Sequence, residues 1–358
     1  MSTLSPISVV VIGLNVADHL DQCLSAIEAS RYPDNLLEVI YVDSGSRDGS
    51  LEIAKRHKDV RILELNTENP SAAMGRNAGL HAASHDLIQF VDADSHLHPD
   101  WLRTAVTTLQ GAVAAVAGSL HERRPNRNLY HRMAHLEWNL RKGESGWTTQ
   151  EQEARVFGGN VLARRQVWLD LQGYDEDLPA GEDPDLSYRV RQAGYRILRL
   201  NAPMATHDID IAGFGRWWKR ARRSGFAYAS LALRYWNQPE RYMLKRVIRI
   251  VGGVGFPWML ILLGVLLGYP LPGIALALLV MLRLLFQAPH FAKVLGIPLT
   301  SAFVYSLYLA LSIYPQFLGV WDVIRKQFRN WKPFTRTGHS WQNPSNAPLN
   351  LSPSTFKK

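Results

Sequence analysis

Between residues 7 and about 119, short apolar runs alternate with segments of helical character, and this alternation restricts the fold more than any other feature. The runs are ISVVVIG, LEVIYVD, VRILEL, DLIQFVD and AVAAVAG, and helix-like stretches over 17–30, 48–57, 71–83 and 99–110 separate them. Strand-like runs divided by helices predict an α/β, doubly wound, mostly parallel sheet with helices on both faces. In such sheets ligands bind beyond the carboxyl ends of the strands. A second unit over 157–200 reads as a strand, a short helix, an acidic loop, a helix at about 183–194 and a strand. Residues 120–155 between the two units read as polar and irregular.

The strand ends carry acids. The run Leu87 to Val91 stops at Asp92 and Asp94, and LEVIYVD ends at Asp43. Two carboxylates one residue apart can approach one hard cation, with Mg²⁺ or Mn²⁺ as the natural guest, although a D-x-D by itself is also ordinary turn punctuation. In VDSGSRDGS, Asp43 can meet a base or ribose, while Asp48 and Ser46 compete to cap the following helix. Arg76, in MGRNAG, can reach a phosphate or stand on the surface. Glu182, Asp183 and Asp185 open a helix, where acids suit the dipole, yet one of the first two can equally be a general base facing an acceptor hydroxyl. His207, in ATHDID, can complete a cation site begun by Asp94, or be structural.

The last third differs in composition. Residues 241–358 contain 13 Lys or Arg against one acid, Asp322, whereas the first 240 hold 27 basic and 30 acidic side chains. That third also holds apolar stretches at 247–269, 273–288 and 301–321. Basic residues flanking apolar spans point to the cytoplasmic face of a membrane and away from nucleic acid. Three crossings would set Arg325–Arg336 opposite Arg241–Arg249, against the positive-inside bias, so two crossings with one segment re-entrant or interfacial are expected. Residues 213–236 interleave five Arg and one Lys with Trp217, Trp218, Phe226, Tyr228, Tyr235 and Trp236. That pattern suits the headgroup layer, or a basic helix docked on the first domain. The single cysteine, Cys23, excludes an internal disulfide and suits a reducing compartment. The start, MSTLSPISVVVIGLN, reads as a first strand and not as a signal peptide. The expected organisation is a catalytic domain over 1–210, an interface segment over 211–245, membrane helices over 246–325 and a basic tail over 326–358.

VVVIGLN, VDSGSRDGS, GRNAGL, FVDADSHLHPDWL and GED with DLSYRVRQAGY, in this order, resemble the family-2 glycosyltransferases of GT-A fold. The resemblance implies that Ile12, Leu14 and Asn15 line a nucleotide pocket, that Asp43 and Ser44 face the base, and that Arg76 contacts the nucleotide. It implies that Asp94 binds a divalent metal, Mn or Mg, with Asp92 near the ribose or the metal. Asp183 would be the catalytic base of an inverting transfer, with Glu182 beside it on the substrate side. The implied partners are a nucleotide-sugar donor, a lipid-linked or glycan acceptor and membrane lipids, at the inner (cytoplasmic) membrane with the catalytic domain on the cytoplasmic side. Ser44 stands where the family often has a second acid. Gly213 stands where processive members have the Gln of Q-x-x-R-W, so transfer of a single sugar is expected. A polyprenyl-phosphate glycosyl synthase and a non-catalytic scaffold on the same fold are the alternatives. A dinucleotide-dependent oxidoreductase is strongly disfavoured by the lone glycine of IGLNVADHL, where G-x-G-x-x-G is needed.

Overall fold

The computed structural model describes residues 4–65, 67–139 and 152–330. Nine strands form one sheet: β1 Ile7–Gly13, β2 Leu37–Asp43, β3 Val60–Glu64, β4 Leu87–Asp92, β5 Ser95–Leu97, β6 Val113–Glu122, β7 Gln152–Glu153, β8 Val161–Arg164 and β9 Arg196–His207. Their order is β3-β2-β1-β4-β8-β6-β9-β5, with β7 also on β9. The β1–β2, β2–β3, β1–β4 and β6–β9 pairs are parallel, whereas β8 runs antiparallel between β4 and β6. The fifth apolar run therefore does not lie beside the fourth, as simple alternation suggests. From β1 the chain builds outward through β2 and β3 and then returns to place β4 on the other flank. The crevice at the carboxyl ends of β1 and β4 is thus a topological switch point, where ligands of such sheets bind.

Helices cover both faces. Ile7, Val9 and Val11 of β1 face one layer, with Leu20, Leu24 and Ile27 of α1 (Ala17–Glu28), Ala54 of α2 (Ser50–Ala54) and Trp101. Val10 and Ile12 face the other, with Leu80 of α3 (Ala72–Ala82). Gly79 lets α3 approach closely, because a Cβ there would collide with Val10. Trp101 opens α4 (Trp101–Val106). Three further helices, α5 (Leu129–Asn139), α6 (Arg165–Asp170) and α7 (Glu182–Gln192), complete the domain.

Two expectations need correction here. The stretch 120–155 is not irregular throughout, since β6 runs to Glu122 and α5 buries His131, Met133 and Ala134. Residues 140–151 of that stretch lie outside the described residues. The second helix, expected over 48–57, shrinks to α2, and Asp48 stands ahead of it, its Oδ1 accepting from Ser50 N of α2 at 3.1 Å and its Oδ2 from Ala17 N of α1 at 3.0 Å.

Next comes α8 (Phe214–Arg234), then α9 (Leu244–Ile250), which continues through a π-turn into α10 (Phe256–Leu267). The chain turns back through α11 (Leu271–Leu285) and α12 (Ala288–Leu295) and ends the described part in α13 (Leu299–Asn330). Three stretches, Leu244–Leu267, Leu271–Leu295 and Leu299–Gln327, are long and apolar enough to cross a bilayer. They differ in surroundings. The hairpin tip is bare, with Leu266 82% and Tyr269 77% exposed. By contrast, α13 lies along α8. A Cβ on Gly225 would strike Gln316, and one on Gly319 would strike Arg222, so the two glycines let the backbones touch. Arg222 grips Asp322 through Nε and Nη2 at 2.6 and 2.7 Å. Nearer its start, Ala302 and Tyr305 of α13 pack with Met133 of α5. Trp217, expected to serve the headgroup layer, is instead only 3% exposed, because Tyr130, Phe214 and Tyr308 surround it. The tail beyond residue 330 lies outside the described residues.

Candidate active site

Four loops meet at the switch point. After β1, Asn15 takes a left-handed conformation, φ 53°. Its N–H donates to Ser46 Oγ at 2.8 Å and its Oδ1 accepts from Arg47 N at 2.9 Å, so the loops after β1 and β2 are clasped. Asp43 is buried, and its carboxylate accepts from Tyr41 Oη, Gly45 N and Ser46 N at 2.9, 3.0 and 2.7 Å. The acid that ends β2 therefore shapes the turn that follows it. Ser44 is buried beside Gly13, its N–H donating to Gly13 O at 2.9 Å. Ile12 is nearly buried and Leu14 stands 42% exposed above the loop.

At the centre is Arg76, on α3. It is 3% exposed. Its Nη2 donates to Asp92 Oδ1 at 2.8 Å, and its Nη1 lies 3.3 Å from Glu182 Oε1 and 3.4 Å from Asp183 Oδ1. Its guanidinium also lies 5.3 Å from the centre of the Tyr174 ring. Burial works against this charge, but Asp183 and Asp92 more than offset it. One guanidinium thus binds acids from α7 and from the end of β4, 90 residues apart in sequence. The surface reading of Arg76 is overturned.

Asp183 retains 18% of its side-chain surface, and its Oδ1 has no hydrogen-bond partner among the described residues. Burial pushes its carboxyl up to about 7; Arg76 opposes the shift and Glu182 and Asp92 assist it. That value suits a general base at neutral pH. Glu182, Asp183 and Asp185 all stand in the first turn of α7, where acids suit the dipole, while the N-cap itself is Gly181, at φ 97°, with no side-chain cap. Asp185 has another task. Fully buried, it accepts from Arg189 Nε at 2.8 Å, Arg234 Nη1 at 3.1 Å and Tyr235 Oη at 2.7 Å. It locks α7 to α8.

Asp92, Asp94 and His207 bring one ligand atom each within 4.8 Å of one another. His207 Nε2 lies 3.2 Å from Asp94 Oδ1. Burial disfavours a charge on His207, yet Asp94 and then Asp92 raise its pKa. Asp94 Oδ1 and His207 Nδ1 are both buried without a hydrogen-bond partner among the described residues. Two carboxylates and an imidazole with orphaned atoms fit a hard divalent cation.

Several contributors escaped the sequence reading. Gly159 and Asn160, from FGGN, lie under the D-x-D. Asn160 Oδ1 accepts from Asp92 N at 3.3 Å and its Nδ2 donates to Ser95 Oγ at 3.0 Å. A Cβ on Gly159 would collide with Asp92 and with Arg76. Asn77 binds Tyr174 O and Tyr174 N at 2.9 and 2.8 Å, which holds α3 to the loop before α7. Glu122 accepts from Ile209 N at 3.1 Å and Asp208 N donates to Asp94 O at 3.2 Å, so the chain after His207 is stapled in place. The signal available was the paired glycine before β8.

This sheet, with its crevice at the switch point and its acids at the ends of β4 and α7, is that of a GT-A glycosyltransferase. The family model described as glycosyl transferase family 2 matches residues 8–170, and those residues are a family-2 glycosyltransferase domain. The glycosyltransferase AglE of Haloferax volcanii is 28% identical over 229 residues, 63% of this chain and 73% of that protein. The glucosyl-dolichyl phosphate glucuronosyltransferase of the same organism is 24% identical over 186 residues, 48% of this chain and 59% of the relative. Among solved structures, the mannosyltransferase PcManGT of Pyrobaculum calidifontis, in complex with GDP-Man and Mn2+, superposes with a TM-score of 0.56 at 20% identity, over 90% of this chain and 88% of that one. That last likeness is one of fold.

Proposed function

We propose that this chain is a membrane-bound, inverting glycosyltransferase that moves one sugar from a nucleoside-diphosphate sugar to a hydroxyl of a lipid-linked acceptor in cell-surface polysaccharide or glycolipid synthesis. The observation that carries the reading is the joining of Asp92 and Asp183 through the buried guanidinium of Arg76 at the mouth of the sheet. The clasped loops of Ile12, Leu14, Asn15, Asp43 and Ser44 take the nucleoside, with Asp43 acting by shaping its turn. Asp92, Asp94 and His207 hold a divalent ion, Mn or Mg, which when bound supplies positive charge against the departing diphosphate. Asp183 takes the proton from the acceptor hydroxyl. The freed oxygen forms a bond to the anomeric carbon as the bond to the nucleoside diphosphate breaks on the opposite face, so the configuration inverts. Arg76, charged at any working pH, keeps both carboxylates aimed at one gap. The solved relative's GDP-Man and Mn2+ support the donor class and the ion, and the glucuronosyltransferase's name supports a lipid-linked acceptor. A phosphate acceptor, as in a polyprenyl-phosphate synthase, needs little help from a base, so the raised pKa of Asp183 favours a hydroxyl.

The hairpin of α9 to α12 crosses the bilayer and returns, while α13 lies in the interface. The catalytic domain then sits on the cytoplasmic side of the inner membrane, with Arg241–Arg249 and Arg325 facing it. Supporting this, α13 touches α5 near its start and α8 along its length.

The test is nucleotide release in nanodiscs from a panel of UDP-, GDP- and dTDP-sugars with Mn²⁺, Mg²⁺ or EDTA. One donor should be hydrolysed slowly, EDTA and Asp94→Ala should abolish the release, and lipid extract should accelerate it only with Asp183 intact. Absence of turnover of every donor with every metal, lipid extract included, sinks the transferase reading in favour of the scaffold.

A further inference from the structure

The basic helix α8 has two halves that differ in what they meet. Ala227 packs on Gly181, at 3.1 Å from a Cβ placed there, with Leu231 beside it. One turn further on, Arg234 pairs with Asp175 and Asp185. This stripe continues at helical spacing toward the start of α8 as Arg223, Arg220 and Arg216. In the second half of the helix the stripe is buried on the catalytic domain, whereas these three arginines are exposed. The opposite face of α8, through Arg222 and Gly225, is taken by α13.

Their neighbours place them along the open side of the active site. Arg216 is paired with Asp210, three residues beyond His207. Arg220 is exposed between Arg216 and Arg223 on the same stripe of α8. Arg223 donates to Pro179 O at 3.1 Å, and after burial and Arg76 its charge helps to pull down the pKa of Asp183. Among the described residues, Arg220 and Arg223 are absent from the ion pairs, although seven other arginines between 155 and 234 have acidic partners. Two exposed guanidinium groups without acidic partners among the described residues thus lie on the stripe of α8 that runs from Arg216, paired with Asp210, to Arg223, bonded to Pro179 ahead of the base.

We propose that Arg220 and Arg223 bind the phosphate that joins an acceptor to its lipid. The site lies on the helix that packs against the apolar helices, so a phosphate held there has its lipid chain toward the membrane and its sugar toward Asp183. This rests on the transferase reading, and it adds the residues that recognise the acceptor. Two guanidinium groups match phosphate oxygens in charge and geometry.

The experiment uses the full chain in phosphatidylcholine nanodiscs and follows the quenching of tryptophan fluorescence, Trp217 and Trp218 lying on the same helix, as farnesyl phosphate is added. Arg220→Gln and Arg223→Gln should each weaken binding about tenfold, and the pair more. Arg56→Gln, an exposed position away from the site, should leave it unchanged. Farnesol, which has the chain without the phosphate, should not distinguish the proteins. UDP and GDP affinities with Mn²⁺ should be the same in every variant. Equal affinity of the double variant and the native protein for farnesyl phosphate overturns the proposal, as does failure of the native protein to bind it. Loss of nucleotide affinity in the double variant with farnesyl phosphate binding kept also overturns it, and assigns the arginines to the donor's diphosphate. Nucleotide release measured in the same discs separates this outcome from failure of the transferase reading, since the native protein can bind the phosphate without turning over a donor. Melting curves check that the variants fold, and the Arg→Lys pair, which keeps both charges, should retain more affinity than the Gln pair.

Discussion

Asp183 is a carboxylate that folding treats badly. Its pKa rises from 3.8 to about 7, so the folded chain holds a proton there that the unfolded chain has released anywhere between those values. Stability from this group is present below about pH 4 and is lost as pH rises through about 7. Asn carries no such proton. The melting temperature of Asp183→Asn should therefore gain on that of the native protein between pH 6 and pH 8, by roughly 2–5 °C. The same substitution should lower kcat by about 10²–10⁴. In the native protein, kcat/KM should fall about tenfold per unit below pH 7, as the base becomes protonated. A flat profile with an unchanged melting difference would remove Asp183 from its role. Gly159 makes a second demand at this scale. A Cβ there would push on Asp92 and Arg76 together. Gly159→Ala should keep the fold, by circular dichroism, and lose most donor turnover. Native turnover in that variant would show that Asp92 and Arg76 do not need their present spacing.

Elements are joined by buried charge as much as by apolar contact. Asp185 has burial against its charge, and Arg189, Arg234 and Tyr235 hold its carboxyl below the ordinary range. Removing the acid leaves two arginines buried with lost partners, so Asp185→Ala should cost about 3–5 kcal/mol in chemical unfolding. A cost under 1 kcal/mol would mean that α8 is not held to α7 by this carboxylate. Residue chemistry alone left Glu182 and Asp183 unranked, because both are acids in the first turn of one helix. The different task of Asp185 is set by Arg234, at the end of α8, and Tyr235, 49 and 50 residues downstream. What was legible followed from local pattern: the seven residues of β1 and of β2, and the acids ending β4, stand where alternation placed them. What was hidden needed three dimensions. The antiparallel insertion of β8, the support from Asn160 and the burial of Trp217 all depend on segments distant in sequence. The helical propensity of 129–139 was masked by its charged residues, and its buried positions appear only once β6 and α13 close over it.

At the scale of the whole molecule, charge and shape agree on one arrangement. One end of the α9–α12 hairpin returns to α5 of the catalytic domain and the other to α8, since Ala288 and Phe291 pack with Met133 while Ile250 packs with Ala229. Its two arms, 24 and 25 residues long, reach about 36 Å at the helical rise, enough for a hydrocarbon layer of about 30 Å. For α13 no such crossing is expected. Tyr305 near its start packs on α5, Tyr308 on Trp217, and Val320 and Val323 near its end on Ala229. A helix held near its start by α5 and near its end by α8 is expected to keep both ends on one side of a bilayer. Its bare side, with Leu299, Phe303, Leu307, Leu311, Leu318 and Trp321, is left to lie against lipid. The prediction is read in sealed vesicles with a membrane-impermeant maleimide, on a Cys23→Ser background carrying one new cysteine at a time. Leu299→Cys and Arg325→Cys, at the two ends of α13, should label from the same side as Arg56→Cys on the catalytic domain, and Tyr269→Cys at the hairpin tip only from the other. Labelling of Leu299→Cys and Arg325→Cys from opposite sides would make α13 a third crossing. It would then break the contacts with α5 and α8, and the basic flanks of the chain would face different compartments.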